Sequence, residues 1–306
     1  MIDPALQIWG ADVAVYLFLG GLVAGMMVIL GYILFKGRHK ELRCSCALLP
    51  GLGIILLSAG MFALFLDLEH RWQFWRMYVT FKPASPMSWG SWILLLVYPS
   101  LLAALLLRLP EPAKKALPFL RKAAEGALEK PGLVRAIGIA NMALGGMLGI
   151  YTGILLSTLG ARPLWNSPML GFLFLVSGLS TAAAFVHLIA RDPYERQLLA
   201  RADNGFLGIE LLVLVLFVVG LLTSTEVHIQ AAHLILSGPY APAFLVLVVG
   251  LGIVIPLLIQ SLAVSHRIPH TPAAPVMVIA GGFVLRLVIV YAGQASHWAA
   301  RLSLLK

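Results

Sequence analysis

Eight stretches of mostly apolar residues follow one another along the chain, at roughly 12–35, 46–67, 89–109, 133–158, 167–190, 205–227, 240–264 and 273–297. Each is long enough to cross a hydrocarbon layer as a helix, which takes about 20 residues. Only helices and closed barrels satisfy their backbone hydrogen bonds in lipid. Barrel strands are shorter and alternate apolar with polar positions, whereas these runs are apolar on every face. The chain is 60% hydrophobic and 11% charged over 306 residues, against about 25% charged for a soluble domain. The expectation is an all-α integral membrane protein with eight transmembrane helices in a single domain, 1–306. An arrangement as two related four-helix bundles is left open. Nothing resembles a separate soluble module.

The net charge of +9 does not indicate a nucleic-acid partner, because the basic residues sit in short loops between apolar runs. Loops 36–43, 108–135, 191–201 and 265–272 hold fifteen of the 22 Lys and Arg residues, and the opposite side holds six. The positive-inside rule makes the richer side cytoplasmic, so both termini face outward, to the periplasm of a Gram-negative cell. The loop around 110–132 is expected to carry a short basic amphipathic segment at the inner surface. The N-terminus has Asp3 and Asp12 but no basic residue, so the first run reads as a retained helix rather than a cleaved signal. Cys44 and Cys46 have no third or fourth ligand for a metal or cluster and read as packing residues.

Placed by depth, polar groups from nearly every helix gather at the outer end. Asp12 and Tyr16 share one face of the first helix. Asp67, Glu69 and His70 close the second. Ser85, Pro86, Met87, Ser88, Trp89 and Gly90 open the third, and Tyr151 stands near the end of the fourth. Gln294 and His297 end the last. Arg286 lies midway along that helix, where an ionised side chain costs about 2.5–3.5 kcal/mol on the insertion scale, so it requires a partner inside the bundle. A thinner set, Asn141, His187, Glu210 and Gln260, lies deeper or nearer the inner side. Asn141, His187 and Glu210 are candidates for an inner proton path, although Glu210 also reads as an interfacial residue near the inner end of its helix.

Bis-histidine haem is disfavoured, since only His187 is internal by position. Two cysteines exclude an iron–sulfur cluster held by this chain. No phosphate loop, metalloprotease motif or catalytic triad is present.

Five segments in order resemble the NrfD/PsrC family of quinone-interacting membrane subunits: VYLFLGGLVAG (15–25), LFLDLEHRWQFWRMY (64–78), SPMSWGSW (85–92), YTGILLS with RPLWN (151–166), and LRLVIVYAGQ (285–294). The resemblance spans almost the whole chain. It implies a subunit of the bacterial or archaeal inner membrane that exchanges electrons with menaquinone or ubiquinone near the outer face. It also implies a ferredoxin-like four-cluster iron–sulfur partner, joined to a molybdopterin or other catalytic subunit, with no haem or cluster in this chain. Tyr151 falls on the family tyrosine that approaches the quinone head group. Tyr16 falls where a polysulfide-reductase member has His. A phenol with pKa near 10 donates a hydrogen bond but relays protons poorly, so Asp12, one turn earlier, is an alternative relay. Asp67, Arg286 and Gln294 match family motifs. Glu69-His70-Arg71 departs from the common Gly-Arg-Pro and, with Trp72, is expected to contact the partner. Ser85 to Gly90 would form one wall of the pocket. The rival functional classes are a small-solute or ion transporter and a purely structural anchor.

Overall fold

The computed structural model describes residues 9–37, 43–68, 70–82, 84–108, 118–190, 192–265 and 271–297, without the side chains of 43–47, 118–121 and 123. Glu69, expected among the partner contacts, lies outside these residues. Eight of the described helices are long and apolar enough to cross a membrane. They are α1 (Ala11–Phe35), α2 (Arg43–Asp67), α3 (Pro86–Leu107), α4 (Pro131–Ser157), α5 (Met169–Ile189), α6 (Pro193–Leu222), α7 (Pro242–Val264) and α8 (Ala273–Ala295). The first half of α7, Pro242–Val254, is wound as a π-helix. Shorter helices lie at Arg76–Val79, Pro118–Leu128 and Glu226–Leu236, the second of them in the loop expected to hold an amphipathic segment.

Helices α1–α4 pack round one another and α5–α8 do the same, giving two groups of four. α1 joins the groups by packing on α5 and α8 as well as on α2 and α4. The sequence permits that centrality through small residues. A Cβ added at Gly25 would stand 2.3 Å from the carbonyl oxygen of Gly178 on α5, so only glycine allows this crossing. Gly21 and Gly25 form a small-xxx-small pair, the spacing that brings membrane helices into backbone contact.

Two helix starts differ from the apolar runs. α3 begins at Pro86, with Ser85 extended as its N-cap, because proline at the first helical position lacks only an N–H that would be unpaired anyway. α6 begins at Pro193, well before the apolar run at 205, and Asp192 caps it by accepting the N–H of Tyr194 at 3.1 Å. The first turns of α6 are polar, so hydrophobicity alone misses them. Glu210 thus lies in the middle part of a 30-residue helix and is buried.

Candidate functional site

The Ser85–Trp92 stretch organises the end of the first group at which α1 and α3 begin. Ser88 Oγ donates to the Thr80 carbonyl at 3.2 Å and accepts the Lys82 N–H at 3.1 Å. Ser91 Oγ lies 2.8 Å from both the Met77 and Ser88 carbonyls. These two serines fasten segment 77–82 to α3, which holds the Arg71–Gln73 turn and the Arg76–Val79 helix across the ends of α1–α4. Gly90 has a separate task. A Cβ there would lie 2.0 Å from the Tyr151 hydroxyl, so the phenol of α4 rests on the bare backbone of α3.

Beneath this cover is a cavity of about 1470 Å³ lined by α1, α2, α3, α4 and segment 68–78. Its walls are chiefly apolar, with Val13, Leu17, Met61, Phe65, Met77, Leu94 and Leu155 among them. Four phenols face it from four elements: Tyr16, Tyr78, Tyr98 and Tyr151. Tyr16 and Tyr151 are 2% and 6% exposed, yet no described residue hydrogen-bonds either hydroxyl. Neither oxygen is among the described side-chain atoms that are closed off without a partner, so both hydroxyls are open to the cavity and suit a ligand there. Burial, with Tyr98 adding to it, pushes the Tyr78 phenol above its ordinary value, which keeps it a protonated donor at neutral pH. Asp67, His70, Arg71 and Trp72 also line the cavity, at its outer end.

One turn inward from Leu17, Arg286 is fully buried. Its guanidinium donates to the Ser177 hydroxyl and to the carbonyls of Gly282 (3.0 Å) and Phe174 (3.1 Å), and it lies over the Phe174 ring. An added Cβ at Gly21 would approach it to 3.2 Å, so α1 covers it closely. Glu210 on α6 shares Ser177 as a hydrogen-bond partner and is within electrostatic range of Arg286. This supplies the internal counter-charge that an intramembrane arginine requires. Asp203, two turns before Glu210, is fully buried as well. It accepts from Ser180 Oγ at 2.8 Å and from Gln260 Nε2 at 2.7 Å.

The expected residues therefore separate into groups. Tyr16, Asp67, His70, Arg71, Trp72, Met87, Gly90 and Tyr151 meet at one cavity. Ser85, Pro86 and Ser88 shape the start of α3 without lining it, and Trp89 is exposed. Asp12 is exposed beside the cavity, close enough to Asp67 for mutual repulsion. Gln294 does not line the cavity but holds Trp9, which does. Its side chain clasps Trp9, accepting the N–H at 2.9 Å and donating to the carbonyl at 2.8 Å. Arg286 and Glu210 meet through Ser177, whereas Asn141 faces α3, donating to the Ser100 carbonyl at 3.2 Å. His187 is buried near the inner end of α5.

Sequence reasoning misses Tyr78, Tyr98, Ser177, Ser180 and Asp203. Ser177, Ser180 and Thr181 do carry a signal, three hydroxyls on one face of an apolar helix. Asp203 is hidden because it precedes the apolar run of α6.

The family model described as polysulphide reductase, NrfD, matches residues 3–297. Protein NrfD of Escherichia coli strain K12 is 32% identical, covering 83% of this chain and 84% of the relative. The NrfD homolog of Haemophilus influenzae is 30% identical over 82% of each protein. The polysulfide reductase C subunit of Wolinella succinogenes is 28% identical over 94% of each.

Proposed function

The chain belongs to the polysulphide reductase NrfD family, and from that premise we propose that it is the quinone-reactive membrane subunit of a respiratory oxidoreductase. The observation that carries this reading is the pair of phenols, Tyr16 and Tyr151, which line a largely apolar cavity with hydroxyls that no described residue bonds. Apolar walls with a few convergent donors fit a flat ring bearing two carbonyl oxygens. Menaquinone or ubiquinone, when bound, supplies two-electron, two-proton redox chemistry between the membrane pool and a partner.

The chain's own residues hold and orient that ring. Tyr151, seated on Gly90, and Tyr16 donate hydrogen bonds from opposite walls. Tyr78, protonated at neutral pH, donates from the cover. Asp67 and His70 stand at the outer mouth, where a proton exchanges with water. Segment 68–82 screens the ring from bulk solvent, which strengthens each of these interactions.

The electron-carrying partner is a ferredoxin-like iron–sulfur subunit, with a molybdopterin or other catalytic subunit beyond it. The exposed Arg71, Trp72, Trp75 and Arg76 offer it aromatic and cationic anchors on the cover. The termini and this cover face the outer side of the inner membrane. Inside the bundle lie two polar sets on one face of α5: Asp203 with Ser180 and Gln260, and Ser177 with Arg286 and Glu210. They provide a route for coupled proton transfer from the inner side, with Glu210 as the exchanging group and Arg286 as its fixed counter-charge.

Tyr151→Phe keeps the ring that Gly90 accommodates and removes only the hydroxyl. Quinol-linked turnover of the assembled complex is expected to fall about 10–100-fold, the effect of losing one hydrogen bond of about 1.5–3 kcal/mol to a group that gains charge. Unchanged turnover at limiting quinol contradicts the assignment.

A further inference from the structure

The cavity is larger than the ~300–1,000 Å³ of ordinary small-molecule sites, and its shape shows where the excess goes. α2 and α3 are close at their inner ends: an added Cβ at Gly53 would lie 3.3 Å from the Leu101 side chain. Beyond that contact the cavity is lined by Ser58 and Phe62 of α2 and by Leu94 and Tyr98 of α3. Phe62 is 61% exposed although it lines the cavity, and Ser58 is exposed as well. Phe62 lies five residues inside the end of α2, about 7–8 Å, and Ser58 nine residues, about 13–14 Å. Both positions are at hydrocarbon depth. The cavity therefore opens sideways into lipid as well as outward.

One contact crosses the seam. Ser58 Oγ and the Tyr98 hydroxyl are 3.2 Å apart. Two hydroxyls joined at a lipid-facing position satisfy each other where hydrocarbon cannot. Tyr98 also lies within electrostatic range of Tyr16 and Tyr78, so the seam reaches the head-group end of the cavity.

We propose that the α2–α3 seam, bounded at its inner end by the Ser58–Tyr98 hydrogen bond, is the lateral portal that admits the quinone and holds its isoprenoid tail. The proposal rests on the quinone reading of the cavity. Its occupant follows from continuity: the slot is apolar, runs unbroken from the phenols to the lipid, and ends where α2 and α3 close. Ser58 is thereby a positioning residue for the tail and does not touch the reacting ring.

The test uses the purified complex in lipid vesicles and two quinols with the same naphthoquinol ring, one with a long isoprenoid tail and one with none. Ser58→Trp fills the seam. The KM for the tailed quinol is expected to rise about tenfold with kcat little changed, the pattern of lost ground-state binding, while the tailless quinol keeps both constants. Phe172→Trp, at an exposed position of α5, leaves both substrates unaffected. If Ser58→Trp does not assemble, the block is added afterwards, with a bulky maleimide on Ser58→Cys in a protein whose two cysteines, Cys44 and Cys46, are changed to serine. Equal KM changes for the two quinols, or none for the tailed one, overturn the portal and leave the head-group site standing. A wild-type complex that neither oxidises the quinols nor reduces the matching quinones removes the head-group reading and the portal together.

Discussion

Gly90 and Tyr151 show how one missing side chain sets a functional group. The phenol occupies the volume that any other residue at position 90 would fill. Gly90→Ala should displace the ring and lower quinol-linked turnover about as far as Tyr151→Phe does, because overpacked sites relieve themselves by moving side chains. The double variant Gly90→Ala, Tyr151→Phe should be little worse than either single one, since residues that act as a unit are not additive. Steady-state kinetics on the four proteins checks this, and additive losses would separate the two residues. Much of this is legible in the sequence. The Ser-Pro-Met-Ser-Trp-Gly group and Tyr151 both stand out there, but their contact does not. That they touch depends on which helices are neighbours, and no spacing within one helix reports it. Tyr98 is missed for the same reason: a tyrosine in an apolar run gives no sign of facing a cavity.

At the scale of elements, the last helix carries two different tasks along its length. Its middle holds Arg286, and its outer end is a clamp. Gly293 leaves room for the Trp165 indole, whose Nε1 donates to the Ile289 carbonyl at 2.7 Å, and Trp9 stacks on Trp165. Arg162 donates to the Gln294 carbonyl and to His297 Nδ1. An arginine can only donate, so His297 must be neutral with its proton on Nε2. Burial, followed by the charge of Arg162, lowers the His297 pKa below its usual value. The folded protein thus binds a proton at His297 less readily than the unfolded chain does. The clamp's contribution is present above the ordinary histidine range and is lost as pH falls through the lowered value. The melting-temperature gap between wild type and His297→Phe is therefore expected to be larger at pH 8 than at pH 5. A gap that widens on acidification contradicts the assignment. The sequence puts Gln294 and His297 at the end of this helix and matches Gln294 to a family motif. It does not show that Gln294 turns to Trp9, a partner at the far end of the chain.

Across the whole molecule, the two groups of four helices divide the chemistry. α1–α4 enclose the cavity, α5–α8 carry the buried acids and Arg286, and α1 lies between them with glycines on the face that meets α5. The helix count and the outer crowding of polar groups are readable because membrane-spanning helices announce themselves by composition. The inner polar sets are only partly readable. Glu210 is visible, but Asp203 is not, because the polar first turns of α6 give no hydrophobic signal. The central claim is that the ring of a quinone sits among Tyr16, Tyr78 and Tyr151. The most direct measurement is photoaffinity labelling of the purified complex with an azido-naphthoquinone, followed by mass spectrometry of the labelled peptides. The account predicts adducts on the segments around Leu64–Tyr78 and Met87–Tyr98, lost when excess unlabelled quinone is present. Protectable adducts confined to α5–α8, or none on this protein, would contradict it.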